Sequence, residues 1–100
     1  MVKKDKIEAA DVAYDSVWDA ICDTPEDAEN MRLRSEVMIA LEKYIKENGL
    51  TQKEAARRFG VTQPRVSELV HRKFSRFSLD SLLSMAARAG LYAEITLKAA

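Results

Sequence analysis

Leu50-Thr-Gln-Lys-Glu-Ala-Ala-Arg-Arg-Phe-Gly-Val-Thr-Gln-Pro-Arg-Val-Ser-Glu-Leu-Val70 is the stretch on which the reading of this chain turns. It predicts two short helices joined by a tight turn. Thr51 with Glu54 makes a capping-box start, in which each side chain satisfies a backbone N–H that a new helix leaves unpaired. Ala55, Ala56 and Phe59 repeat at helical spacing, and Gly60 supplies the left-handed residue that stops the first helix. Thr62 caps a second helix whose buried side is Val66, Leu69 and Val70. The small side chain of Ala56 lets the second helix cross the first closely.

Ala56, Gly60, Val61, Val66 and Leu69 together fall in the register of a helix-turn-helix, an arrangement that lays its second helix in the DNA major groove. A plain αα-hairpin in a small bundle is the competing reading. A single glycine between two helical patterns suits either, but five constrained positions in register favour the helix-turn-helix.

The 100 residues fit one domain with a modest core. No apolar run approaches the ~20 residues that span a bilayer, and no charged-then-apolar signal peptide opens the chain. A cytoplasmic protein is expected. Cys22 is the only cysteine and His71 the only histidine, so neither an intramolecular disulfide nor a cysteine or histidine metal cluster can be assembled. No nucleophile–base pair stands out either. The expectation is a non-enzyme without metal or cofactor.

A net charge of zero hides a segregation. Residues 1–30 carry three Lys against nine Asp and Glu, a balance of −6. Residues 31–49 balance at +1, residues 50–77 at +5, and residues 78–100 at zero. The helix-turn-helix is therefore a basic block behind an acidic N-terminus. A concentrated positive face supplies the salt-dependent, sequence-independent part of DNA binding. A merely solvated charged face would explain any one Arg, but not the coincidence of block and motif.

Outside the motif, Met1 to about Tyr14 has the polar, charged composition of a loose segment. Asp15-Ser-Val-Trp-Asp-Ala-Ile21 predicts a short helix with Val17, Trp18 and Ile21 on one stripe. Thr24-Pro25-Glu26-Asp27 is a second start signal, with an N-cap, a proline at the first helical position and acids in the first turn. The helix it opens is expected to reach Asn48, with a possible break near Asn30 and Gly49 closing it. Leu33, Val37, Met38, Leu41, Tyr44 and Ile45 form its buried stripe. Phe77, Ser78 and Leu82 form a hydrophobic staple around an N-cap, opening a helix to Ala89 that buries Leu79, Leu82, Leu83 and Met85 or Ala86. From Leu91 to Leu97 the period changes to two, with Leu91, Ala93, Ile95 and Leu97 on one face, which predicts a β-strand. An unpartnered strand edge must pair, and the simplest partner is the same strand of a second copy.

Taken together, Arg34-Ser-Glu, Leu50-Thr-Gln-Lys-Glu-Ala-Ala, Val61-Thr-Gln-Pro-Arg-Val-Ser-Glu-Leu and Phe77-Ser-Leu-Asp-Ser-Leu-Leu resemble the xenobiotic-response-element (XRE) type helix-turn-helix regulators. Within that family the chain looks most like the HigA-type antitoxins of toxin–antitoxin pairs. The resemblance covers about residues 31–97. It implies an all-α, five-helix, lambda-repressor-like domain, here with the C-terminal β-strand pairing across a homodimer. Residues 1–30 are then an acidic, partly flexible segment with a short helix, and residues 31–100 the DNA-binding and dimerisation domain. It also implies binding to a palindromic double-stranded operator in the protein's own promoter and neutralisation of a RelE-like mRNA-cleaving toxin. Close relatives act as plain repressors, so a stand-alone regulator without a toxin is the alternative. An interaction adaptor that no longer binds DNA is a third reading, favoured by Glu68 and the neutral total and opposed by the basic block.

The resemblance places Gln63, Pro64, Ser67 and Glu68 at base edges, with Arg65 between them. The chemistry suits the location: Arg65 for guanine, Gln63 for adenine, Glu68 for cytosine, and Pro64 for an apolar contact such as a thymine methyl. Gln52 and Thr62, at helix starts, suit phosphates, as do Arg72, Lys73 and Arg76. Leu91, Ala93, Ile95 and Leu97 are the expected dimer interface. Val17, Trp18 and Ile21 admit two readings, packing onto the body of the chain or its dimer mate, or an aromatic anchor offered to a basic toxin.

Overall fold

Four helix starts, each marked in the sequence by a hydroxyl residue, organise the described part of the chain. The computed structural model describes residues 24–99. Helix α1 spans Pro25–Glu47, α2 Gln52–Phe59, α3 Gln63–Val70 and α4 Leu79–Arg88, with a single 3₁₀ turn at Phe74–Arg76 between the last two. Thr24, Thr51, Thr62 and Ser78 are the N-caps, and each side chain accepts a hydrogen bond from the backbone N–H three residues on. At α2 the box is reciprocal: Thr51 N–H donates to Glu54 Oε1 at 2.9 Å and Glu54 N–H to Thr51 Oγ1 at 3.1 Å. At α4 the reciprocal partner is Ser81, whose hydroxyl accepts from Ser78 N–H at 3.2 Å.

The four helices also close alike. A left-handed residue follows each one: Gly49, Gly60, Arg72 and Gly90. The next N–H then returns to a carbonyl five residues back, Leu50 to Ile45, Val61 to Ala56, Lys73 to Glu68 and Leu91 to Ala86, at 2.8–3.0 Å. This closure occupies carbonyls that a helix end otherwise leaves unpaired. Arg72, with φ +56°, is the one non-glycine among the described residues at positive φ.

Packing follows the apolar stripes. Met38, Leu41 and Ile45 of α1, Ala55, Ala56 and Phe59 of α2, Val66 and Leu69 of α3, Phe77, and Leu82, Met85 and Ala86 of α4 form one buried cluster. Helix α2 lies against α3 and α4, and α1 crosses α4 and α3. Ala55 and Ala56 are both buried where α2 meets its neighbours, so close approach depends on their small size. Tyr44 rests on Phe59 with ring centroids 5.9 Å apart, and its hydroxyl accepts from Arg58 Nη1 at 2.9 Å. Helix α1 runs unbroken through Asn30. Its acidic opening is held by Arg32, which pairs with both Glu29 and Glu36, and by Ala28, which is buried. Leu33, Leu79 and Leu83 are only half-buried, while Ser35 is fully buried and donates to the Met31 carbonyl at 2.8 Å.

The expected five helices and C-terminal strand need correction. Among the described residues there are four α-helices, and residues 91–99 form no strand. The helix expected at Asp15–Ile21 lies outside the described residues. Alternation along Leu91–Leu97 tells which side chains would share a face. A strand, however, is made by ladder hydrogen bonds to a neighbour, and no segment of residues 24–99 provides one. Leu91 packs against the core, whereas Ile95 and Leu97 are 56% and 90% exposed. The strand-paired dimer ribbon falls with the strand.

Candidate nucleic-acid interface

Helix α3 is amphipathic, and its burial sets what it can present. Val66 and Leu69 are fully buried, which fixes the rotation of the helix on the core. At 100° per residue, Pro64, Ser67, Glu68 and His71 then lie farthest from the core, with Gln63 and Arg65 on the flanks. Gln63 and Pro64 are exposed, and Ser67 and Glu68 are half-buried. His71 is exposed at the helix end, where its Nδ1 donates to the Ser67 carbonyl at 2.7 Å.

Arg65 takes a different course from its neighbours. Its Cζ lies 4.2 Å from the centroid of the buried Phe77 ring, and its Nη1 donates to the Arg76 carbonyl at 2.7 Å. The same nitrogen is 3.3 Å from Glu68 Oε1, while Glu68 Oε2 is 3.4 Å from Arg76 Nη1. Arg65, Glu68 and Arg76 are thus one charged cluster in which a carboxylate lies between two guanidinium groups. Two of the expected base readers, Arg65 and Glu68, are engaged within the protein, whereas Gln63 and Pro64 are not.

The expected phosphate contacts surround this helix. Thr62, exposed, caps α3 by accepting from Arg65 N–H at 3.4 Å, and Gln52 is half-buried in the first turn of α2. Lys73 is exposed, and Arg76 is 64% exposed despite its contact with Glu68. Arg72 turns toward α1, where its Nε donates to Glu42 Oε1 at 3.1 Å. The Thr51 backbone N–H, donating to Glu54, holds that carboxyl below its usual range, with smaller contributions from the Thr51 side chain, Arg57 and Arg58. Glu54 is therefore the acidic member of a cationic neighbourhood and is spent on the cap. Among the described residues no group of three His, Cys, Asp or Glu side chains is placed to hold a metal ion.

Arg34 is the residue that sequence reasoning left without a role. From α1 its Nη1 donates to the carbonyls of Phe74 at 3.3 Å and Phe77 at 3.0 Å. Its signal was available: Arg34, Met38, Leu41 and Ile45 share the register of the buried stripe, so a guanidinium stands where an apolar side chain is expected.

A family model described as a helix-turn-helix domain matches residues 20–98. The chain belongs to that helix-turn-helix family. Among curated proteins none matches it. As a helix-turn-helix domain it is a DNA-binding regulatory module of XRE type and not an enzyme, and α2 and α3 are the two helices of its motif. Among its described residues no helix is long and apolar enough to cross a membrane. Val17, Trp18 and Ile21, expected to face a toxin, lie outside the described residues. Of the expected dimer-interface residues, Leu91 packs against the core and Ala93, Ile95 and Leu97 are exposed.

Proposed function

We propose that this helix-turn-helix domain is a sequence-specific transcriptional repressor that reads DNA with the outward side of α3. The observation that carries the reading is the exposure of Gln63 and Pro64 at the N-terminal turn of α3, with Ser67 one turn on and Lys73 and Arg76 beyond its C-terminus. Gln63 has the donor and acceptor needed for a bidentate contact to adenine, and Pro64 offers an apolar surface to a thymine methyl. Ser67 accepts or donates at either base. Glu68 takes a cytosine amine only after giving up Arg76. Gln52, Thr62, Arg72, Lys73 and Arg76 contact phosphates and set the register.

Repression without a toxin partner is the reading the family match supports. Toxin neutralisation and autorepression rest on the HigA-type resemblance alone, and the helix-turn-helix match carries neither. An eight-residue recognition helix covers only a few base pairs, so two copies on an inverted repeat are the natural binding unit. The test is selection of duplexes from a random-sequence pool by the full chain. Enrichment of one motif, in inverted repeat, supports the proposal. Retention of all duplexes alike, with no motif after repeated rounds, would leave a non-specific DNA-binding protein.

A further inference from the structure

Residues 71–78 leave the recognition helix and return to the core with almost no regular structure, since the 3₁₀ turn at Phe74–Arg76 is three residues long. Its own backbone bonds are short-range ones, Phe74 N–H to the Arg72 carbonyl, Arg76 to Lys73 and Phe77 to Phe74, and it carries Lys73 and Arg76, two of the cations beside α3. Three of its carbonyls also take side-chain donors from the helices. Arg34 of α1 takes those of Phe74 and Phe77, and Arg65 of α3 takes that of Arg76. Phe77 closes the arrangement: it is 2% exposed, anchored in the core, and covered by the Arg65 guanidinium.

We infer that Arg65 is a positioning residue and not a base reader: with Arg34 it clamps the 73–77 connector against α3 and so places Arg76 and Lys73 for the DNA backbone. This deepens the proposed reading of α3, and rests on it for the DNA measurements only. Reading guanine requires both N–H groups on one edge of the guanidinium, aimed out of the helix. Arg65 would first have to leave the Phe77 ring, the Arg76 carbonyl and the Glu68 carboxylate. Its place on α3 argues the same way, because residue 65 precedes the buried Val66 and lies on the flank where the connector passes. Glu68 is the second part of the device. Its carboxylate lies within 3.4 Å of both Arg65 and Arg76, which orients Arg76 beside α3 while leaving that side chain largely exposed.

The test compares the full-length wild-type chain with Arg65→Met, which keeps an apolar stem for Phe77, and with Arg65→Lys. The DNA probes are a duplex selected from a random pool by the wild type and its single-base-pair variants. A positioning role predicts that Arg65→Met weakens every duplex by a common factor, on the order of tenfold. The preference order stays the same, and the salt slope falls by about one to two units as Arg76 and Lys73 lose their phosphates. Arg65→Lys recovers part of the loss, since an ammonium reaches the carbonyl but does not stack as a plane. Adding Arg76→Ala to Arg65→Met lowers the slope no further. Selective loss of preference at one base pair with an unchanged salt slope overturns the inference. A measurement without DNA decides independently: in Arg65→Met the amides of residues 74–77 lose hydrogen-exchange protection while those of α4 keep theirs. Unchanged protection in the connector also overturns it, whatever becomes of DNA binding.

Discussion

Arg72 offers the cleanest energetic test of the fold. It occupies the left-handed position after α3 that Gly49, Gly60 and Gly90 occupy after the other helices. An L-residue there has Cβ close to backbone oxygen, at a cost of about 1–2 kcal/mol relative to the right-handed region. Against this stands the contact with Glu42, where the Arg72 side chain is 50% exposed and Glu42 15%. Half-exposed pairs of this kind contribute only about 0.2–1 kcal/mol. Arg72→Ala and Arg72→Gly both remove the guanidinium, so their difference isolates the backbone. Alanine keeps the Cβ in a left-handed site; glycine does not, though it loses more chain entropy on folding, roughly 0.5–1 kcal/mol. Arg72→Gly is therefore expected to exceed Arg72→Ala in stability by up to about 1 kcal/mol, the reverse of their order in a helix interior. In a domain of this size that is a Tm difference of up to ~4–8 °C, measurable by thermal denaturation followed by circular dichroism. Both variants should bind DNA with a salt slope lower by about one unit, having lost the same cation. An alanine variant more stable than the glycine variant by about 0.5–1 kcal/mol, the order found in a helix interior, would refute the left-handed assignment and with it the shared closure of the four helices.

Other expectations follow from the interface and its supports. Gln63→Ala should cost ~1–3 kcal/mol on the selected duplex and relax preference at one base pair, read in a panel of single-base-pair variants; a uniform loss would remove Gln63 from the base edge. Arg34→Ala leaves the Phe77 carbonyl without its donor and the Phe74 carbonyl with the Phe77 N–H alone, and should destabilise by about 1–3 kcal/mol in urea denaturation. A change below a few tenths would mean those carbonyls are satisfied by water. Glu54 is fully exposed, but its carboxyl is depressed in the folded state, so its contribution is complete above the unfolded-state pKa and disappears as pH falls through the lower folded value. Glu54→Gln should therefore flatten the acid end of the stability–pH curve and leave the alkaline end unshaped. An unaltered acid limb would dismiss the capping carboxylate.

What could be read in advance was whatever is decided within a few residues. Thr51 with Glu54, Thr24 before Pro25, and Gly60 after Phe59 act over three or four positions, and each stands in the structure as the spacing predicts. The buried faces of α2 and α3 are legible for the same reason, because Phe59, Val66 and Leu69 have only one side on which to hide. Arg65 was not legible, because its direction depends on Phe77 and Arg76, more than ten residues away and across an irregular connector. Arg34 answers to carbonyls 40 and 43 residues along the chain. The Leu91–Leu97 segment failed for another reason. A period of two records a preference for sidedness, while a strand also needs a neighbour, and sidedness says nothing about whether one exists.

The exposed turn of α3 has an evolutionary corollary. Gln63 and Pro64 are exposed and lie outside the buried core, and substitutions at such surface positions ordinarily shift stability by no more than about 0.5 kcal/mol. Arg34, Arg65 and Phe77 carry the connector, and changing them disturbs the frame. The domain thus keeps its address label separate from its chassis. On the proposed reading of α3, drift at Gln63, Pro64 and Ser67 would retarget the protein to a new site in single steps, each passing through a folded intermediate.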